Sequence, residues 1–122
     1  MSSDDFDVIA YKVLSYLYGC LKVGKRVDIA VMRSLAGCNE AYLGVVAKDL
    51  QVRGLASGFH FDGLSGVIVD SPALAVASDP TITMDGAAYV RDNSSMAKAK
   101  RFLGHAFDVA LASAAEASVS LF

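Results

Sequence analysis

The sequence of 122 residues contains no tryptophan, two prolines, two cysteines and two histidines. Its apolar runs are all shorter than the ~18–20 residues that a membrane-spanning helix needs. The first residues, MSSDDFDV, are acidic, whereas a signal peptide begins with basic residues followed by an apolar segment. We therefore expect a soluble, cytoplasmic protein that has no membrane partner.

Positive charge is scarce as well. Lysine and arginine number 11 against 13 acidic residues, which gives a formal net charge of −2. This balance argues against a strongly basic nucleic-acid-binding protein. Hydrophobic residues make up 54% of the chain, which excludes intrinsic disorder. Because the length suits one domain, we expect residues 1–122 to form a single domain with a mostly aliphatic core.

Motifs of known catalytic and metal sites are missing from the sequence, which contains no GxGxxG, GxSxG or HExxH. His60 and His105 each lack a second histidine or a cysteine three or four residues away. Cys20 and Cys38 lie outside any CxxC pair, which predicts two thiols in a reducing compartment; a disulfide between them is the alternative. We expect no enzymatic activity, metal, cofactor or small-molecule ligand.

Apolar periodicity predicts three helices in the first half of the chain. Ser3 or Asp4 would cap the first helix, Asp28 the second and Asn39 the third, and Gly24 would end the first. The predicted helices cover residues 4–22, Ile29–Ala36 and Glu40–Arg53. A short helix, a three-residue break and a longer helix are typical of a helix-turn-helix.

An extended segment, Leu55–Phe61, follows the third predicted helix, and a turn signal at residues 62–66 follows the segment. Two short apolar runs, 67–69 and 74–77, are alternative pairing partners for it. A hairpin at this place after a helix-turn-helix is a wing. The sequence leaves open which of the two runs completes the hairpin.

Two further helices are predicted in the last third of the chain. Thr83 would cap a fourth helix that runs to about Asp92, and an extended fifth helix would cover about 95–121. The predicted fold class is therefore α+β and mostly α. It is a winged helix-turn-helix with three helices, a β-hairpin wing and two C-terminal helices.

The segments Ile82–Val90 (ITMDGAAYV) and Asn93–Ala99 (NSSMAKA) resemble the YjcQ-like family of small bacterial and prophage-encoded proteins. The resemblance extends back to Leu50–Gly58 (LQVRGLASG). It implies a winged-helix fold and no defined biochemical role. The sequence departs from the family pattern at Asp85, where a lysine is common, and in an extra stretch at Ser71–Ser78.

Polar side chains on the third predicted helix, together with cations before it, suggest a DNA-binding surface, because base edges and phosphates are recognised by such donors. The acidic side chains of Glu40 and Asp49 would repel phosphates. The predicted DNA-binding residues are Lys25, Arg26, Arg33, Asn39, Tyr42, Lys48, Gln51 and Arg53. The sequence thus predicts a winged-helix protein that binds double-stranded DNA, such as a small prophage-type regulator. The alternative is a protein-interaction or dimerisation module that does not bind DNA.

The fifth predicted helix also suggests a homodimer. Phe107, Leu111 and Leu121 are apolar and have few obvious intramolecular partners, which favours a dimer interface. In the alternative arrangement, Phe107 and Leu111 pack on the first helix. A basic group at Lys98–Arg101 indicates either an anionic partner or a solvated face.

Overall fold

The computed structural model describes the backbone of residues 2–62, 67–68 and 80–120, and the side chains of residues 2–61, 68 and 80–114. Five helices and four short strands lie in this part of the chain. The helices are α1 (Phe6–Val23), α2 (Ile29–Ala36), α3 (Glu40–Val52), α4 (Met84–Asp92) and α5 (Ser94–Ser120). The strands are β1 (Ala56–Ser57), β2 (Phe61–Asp62), β3 (Val67–Ile68) and β4 (Thr81–Ile82). The predicted α+β, mostly α winged-helix layout is confirmed.

The ends of the helices follow local signals in the sequence. The Asp28 carboxylate accepts hydrogen bonds from the first backbone N–H groups of α2, and the Asn39 side chain does the same for α3. Gly24 ends α1 in the left-handed conformation, with φ of 78°. The predicted cap of α1 is wrong, because Asp5 occupies that position and its side chain makes no capping bond.

The extended segment predicted at 55–61 forms two separate strands. In its first part, Ala56 pairs with Ile82, so β1 and β4 form one antiparallel pair. In its last part, Phe61 pairs with Ile68, so β2 and β3 form a second antiparallel pair, which is the wing. Gly58, with φ of 84°, lies between the two strands and ends the first. The run 67–69 is thus the wing partner at residues 67–68, whereas 74–77 lies outside the described residues.

Helix α1 is the centre of the core and contacts α2, α3, α4, α5 and β4. Its buried side chains include Val8, Leu14 and Leu17, which are inaccessible to solvent. The buried Tyr16 hydroxyl accepts a hydrogen bond from the Asp28 backbone N–H at 3.0 Å. This bond fixes the start of α2 against α1. None of the helices in the described residues is both long and apolar enough to cross a membrane.

Helix α4 crosses the start of β1 at very close range. The Thr83 hydroxyl donates to the Gly54 carbonyl at 2.6 Å, and the Thr83 backbone N–H donates to the Leu55 carbonyl at 3.2 Å. A Cβ atom at Gly86 would lie 1.9 Å from the Leu55 carbonyl oxygen. The close approach of α4 to β1 therefore requires glycine at this position.

The predicted single helix at about 95–121 is broken within its length. Gly104 has φ of 70° and ψ of −166°, which are not helical values. The break separates a proximal segment, residues 94–103, from a distal segment, residues 105–120. Met96 and Ala99 bury the proximal segment in the core, whereas the distal segment packs through Phe107 and Ala114.

Candidate functional site

The exposed side of α3 is the surface that a winged helix usually presents to DNA. Leu43, Val46 and Leu50 point into the core. The opposite side carries a row of exposed residues spaced four, three and four apart, here called the α3 strip: Ala41, Val45, Lys48 and Val52. The exposed fraction is 60% for Val45 and 78% for Val52. The strip is therefore mainly apolar and carries a single cation.

An exposed methionine extends the apolar surface beyond the C-terminal end of α3. Met84 is 88% exposed. It directly follows Thr83, whose hydroxyl is bonded to the carbonyl of Gly54, two residues beyond Val52. Met84 therefore lies at the same end of the molecule as Val52.

Arg33 is bound within the fold and links three elements. Its Nε lies 3.0 Å from Glu40 Oε2, and its Nη2 lies 3.1 Å from Glu40 Oε1. The same Nη2 donates to the Ile68 carbonyl at 3.1 Å. The guanidinium thus joins α2, the start of α3 and the wing strand β3. Its role in this structure is to hold the wing against α3.

Gln51 and Arg53, at the end of α3, also have intramolecular partners. The Gln51 amide forms two hydrogen bonds with the Phe59 backbone, accepting from its N–H at 2.8 Å and donating to its carbonyl at 3.2 Å. Arg53 pairs with Asp49 at 2.9 Å, one turn back on the same helix. Gln51 therefore fixes the chain between β1 and β2, and Arg53 neutralises the nearest carboxylate.

Asn39 and Tyr42 are occupied at the start of α3. The Asn39 side-chain oxygen accepts from the Tyr42 backbone N–H at 2.8 Å and caps the helix. The Tyr42 hydroxyl donates to the Asp4 carbonyl, and its ring lies 6.4 Å from the Phe6 ring. Burial and the Asp4 carboxylate raise the pKa of Tyr42. The acidic N-terminal segment is thus anchored beside the first turn of α3.

Five of the eight predicted DNA-binding residues, Lys25, Arg26, Asn39, Lys48 and Arg53, are exposed to solvent. Asn39 and Arg53 have the partners described above. Lys48 has no carboxylate within ion-pair distance among the described side chains. Lys25 and Arg26 lie between α1 and α2 and line a small pocket with Leu21 and Pro80. The structure therefore does not bring the eight residues together into one basic surface.

The sequence predicts the capping role of Asn39 but not the intramolecular roles of Arg33, Tyr42, Gln51 and Arg53, because several of their partners are backbone atoms. Arg33 and Ile68 are 35 residues apart, and the bond uses a carbonyl that every residue type has. No side-chain pattern marks such a partner. The pair of Glu40 with Arg33 is a weak signal, since opposite charges seven residues apart flank the predicted turn.

The residues predicted for a dimer have different positions. Phe107 is buried, and its ring lies 5.9 Å from the Tyr11 ring of α1. Leu111 is half-buried against the same core, and Leu121 lies outside the described residues. The expectation that Phe107 and Leu111 have few intramolecular partners is therefore wrong.

In the described part of the chain, the histidine, cysteine, aspartate and glutamate side chains form no metal site, and the two cysteines form no disulfide. Within that part, no group of three or more histidine, cysteine, aspartate or glutamate residues could hold a metal ion. Cys20 is buried, Cys38 is half-buried, and neither is in a disulfide. Lys98, Lys100 and Arg101 are exposed on α5.

Comparison with known proteins adds one finding. The model of a protein family described as YjcQ protein matches residues 11–108 of the chain. Comparison with curated proteins finds no match, and comparison with solved structures finds none either. The family match covers α1 from Tyr11 onward, α2 to α4, the wing and the break in α5.

Proposed function

The chain belongs to the YjcQ protein family, and we propose that it is a non-enzymatic, cytoplasmic winged-helix module that binds a protein partner through the α3 strip. The observation that supports this most is the exposure of Val45 and Val52, at 60% and 78%, on the outer side of α3. A helix that reads DNA needs hydrogen-bond donors on that side. Most of the α3 strip is instead apolar.

Burial of the strip would favour association with a protein. Covering a valine side chain completely contributes about 1.5 kcal/mol or more, and Val45, Val52 and Met84 are all largely exposed. Large apolar side chains exposed on one side of a helix are a feature of surfaces that bind other proteins. The α3 strip is therefore a surface on which a partner gains free energy by excluding water.

The charge of the strip indicates the chemistry of the partner. Lys48 lies between Val45 and Val52, and the nearby carboxylates of Glu40 and Asp49 are paired with Arg33 and Arg53. A partner that covers the strip therefore needs a negative charge opposite the Lys48 ammonium. We expect an apolar partner segment with one central carboxylate, since charge complementarity gives such contacts their specificity.

The partner test uses a photo-crosslinking amino acid at position 45 or 52 in cells that naturally produce the protein. Position 109 is the control, because Val109 is also exposed, at 53%, but lies on α5. We expect one polypeptide to be crosslinked from positions 45 and 52 and not from position 109. Crosslinks that are absent, or equally frequent from position 109, contradict the proposal.

The same interface is then tested with purified proteins. The double variant V45S/V52S should weaken the reconstituted complex about tenfold or more, since it removes apolar contacts at two exposed positions that the partner would cover. The matched control is V23S/V109S, because Val23 and Val109 are about half exposed and lie away from α3. An equal loss of affinity in both variants would show that the interface lies elsewhere.

Binding of double-stranded DNA, as by a small prophage-type regulator, is the second candidate function. It is favoured by the helix-turn-helix and by three exposed cations, Lys25, Arg26 and Lys48. If each of these three cations contacts one phosphate, the logarithm of the DNA-binding constant should fall with the logarithm of the salt concentration, with a slope of roughly −3. Weak, salt-sensitive binding is therefore the form that this activity would take.

Fluorescence anisotropy with a mixed-sequence duplex at low and moderate salt measures this second activity. Binding that is lost when Lys25, Arg26 and Lys48 are changed to glutamine would support DNA binding through the helix-turn-helix. The matched control changes the three exposed cations of α5 to glutamine: Lys98, Lys100 and Arg101. Absence of binding at low salt would leave the protein-binding proposal as the one to pursue.

A further inference from the structure

The break in α5 depends on one glycine. Gly104 has φ of 70° and ψ of −166°, a combination that is essentially restricted to glycine. A Cβ atom at this position would have no heavy atom within 4 Å. The restriction therefore comes from the backbone torsions and not from crowding by neighbouring groups.

Over residues 105–114, whose side chains the structure describes, the distal segment of α5 is held to the rest of the molecule along one edge. The buried or half-buried positions of this stretch are Phe107, Leu111 and Ala114, spaced four and three residues apart. Phe107 contacts Tyr11 of α1. The other residues of the stretch, such as Ala106 and Val109, are exposed. This part of the segment is thus a helical arm attached by a single stripe of side chains.

The surface that receives this arm is incompletely filled. A groove of about 730 Å³ runs beside Phe107 and Ala110, and its other wall includes Lys12, Val31 and Leu35 of α1 and α2. Less tightly filled contacts are broken at lower cost than close-packed ones. Release of the arm therefore costs less than release of a fully embedded helix.

We propose that the distal segment is an exchangeable arm hinged at Gly104, and that two copies of the chain pair by placing each arm on the α1 and α2 surface of the other. Helical torsions at Gly104 would join the two segments into one straight helix and carry Phe107 away from Tyr11. The vacated surface fits a second copy's arm, because it already holds an identical one. Exchange of an identical element adds few new contacts and is a low-cost route to a dimer.

The Gly104→Ala variant tests the hinge, because alanine disfavours the observed torsions and favours the straight helix. We expect the dimer dissociation constant to fall about tenfold or more relative to the wild type, as measured by light scattering over a range of concentrations. The matched control is Gly37→Ala, since Gly37 also has a positive φ, of 65°, and open space around it. Gly37→Ala strains the backbone at a position that is not the proposed hinge, so the dimer dissociation constant of this variant should equal that of the wild type.

The identity of the contact between chains is decided by NMR on dimers mixed from ¹³C-labelled and unlabelled chains. Arm exchange predicts an inter-chain nuclear Overhauser effect between the Tyr11 and Phe107 rings, whose centroids are 5.9 Å apart in one chain. A dimer in which this contact stays within each chain overturns the proposal, and so does a Gly104→Ala variant that is folded and monomeric. If that variant does not fold, the wild type at millimolar concentration is tested in the same way, and absence of the inter-chain contact overturns the proposal.

Discussion

Among single residues, Gly86 has the least room for change. Its hydrogen occupies the place where a side chain would meet the Leu55 carbonyl oxygen, 1.9 Å from an added Cβ atom. The other near neighbour is Ile82 Cγ1, at 2.8 Å. Because a backbone atom cannot move aside like the end of a flexible side chain, α4 or β1 has to shift when a larger residue is introduced.

The Gly86→Ala substitution should therefore lower the free energy of unfolding by about 1–3 kcal/mol, the usual cost of overpacking. Urea denaturation followed by circular dichroism measures this change. The control is Asp85→Ala, since Asp85 is the exposed neighbour and exposed substitutions usually change stability by less than about 0.5 kcal/mol. Equal stability of Gly86→Ala and the wild type would show that the contact is not this close.

Cys38 provides a prediction that depends on pH. Burial raises the pKa of its thiol, and the positive charge of Lys12 opposes part of that rise. Since the thiolate is the reactive form, alkylation of Cys38 by iodoacetamide should reach its half-maximal rate at a higher pH in the folded protein than in the urea-unfolded chain. Mass spectrometry of the peptides separates Cys38 from Cys20, which is buried and should react more slowly still.

The raised pKa of Cys38 also makes its contribution to the stability of the protein depend on pH. The folded state holds the Cys38 proton more tightly than the unfolded state, so this group's contribution to stability is fully present below the unfolded pKa. It is lost as the pH rises through the folded pKa. A folded protein in which Cys38 reacts at the unfolded rate at every pH would contradict the burial of this thiol.

Among the elements, the wing is joined to the rest of the fold through β3, where Ile68 is buried in the core and its carbonyl accepts a bond from Arg33. Strands β2 and β3 have two residues each and pair only with one another in the described structure. Arg33 connects β3 to α2 and α3 through Glu40 and the Ile68 carbonyl. The wing is thus placed by a side chain that the sequence marked as a DNA ligand.

Arg33→Gln should lower the free energy of unfolding by about 1–2 kcal/mol, since it removes charge-assisted bonds that are only partly shielded from water. Amide hydrogen exchange at Ile68 should also become faster than in the wild type. The matched control is Arg91→Gln, which breaks the exposed pair with Asp92 and should cost less than about 0.5 kcal/mol. Unchanged exchange at Ile68 would show that the wing is held by something else.

For the whole molecule, the net charge of −2 and the pI of about 5.5 set the conditions under which copies associate. Near the pI, charge repulsion between copies is smallest. At that pH, the repulsion that opposes contact between the exposed apolar residues of two α3 strips is weakest.

We therefore expect light scattering at fixed protein concentration to show the most association of arm-exchanged dimers into larger assemblies near pH 5.5. The V45S/V52S variant should form fewer of these larger assemblies at that pH, and V23S/V109S should behave more like the wild type. A maximum of association far from the pI, or an equal response of the two variants, would show that the α3 strip does not drive it.

The sequence alone determined where most helices begin and end, because these signals are local. Asp28, Asn39 and Thr83 bond to backbone groups within three residues, and Gly24 needs only its own torsions. The helix-turn-helix could therefore be predicted from one chain, whereas the sequence left open which run pairs with the extended segment in the wing.

The tertiary structure decided which side chains remain available on the surface. Whether Arg33 and Gln51 face DNA or bind the backbone of Ile68 and Phe59 depends on how the wing and the segment before it return to α3. The break at Gly104 was decided in the same way, because glycine permits both helical torsions and the observed ones, and the observed ones accompany the packing of Phe107 on α1. Local hydrogen bonds fix elements, whereas contacts between distant residues fix surfaces, and the function of this protein depends on the surfaces.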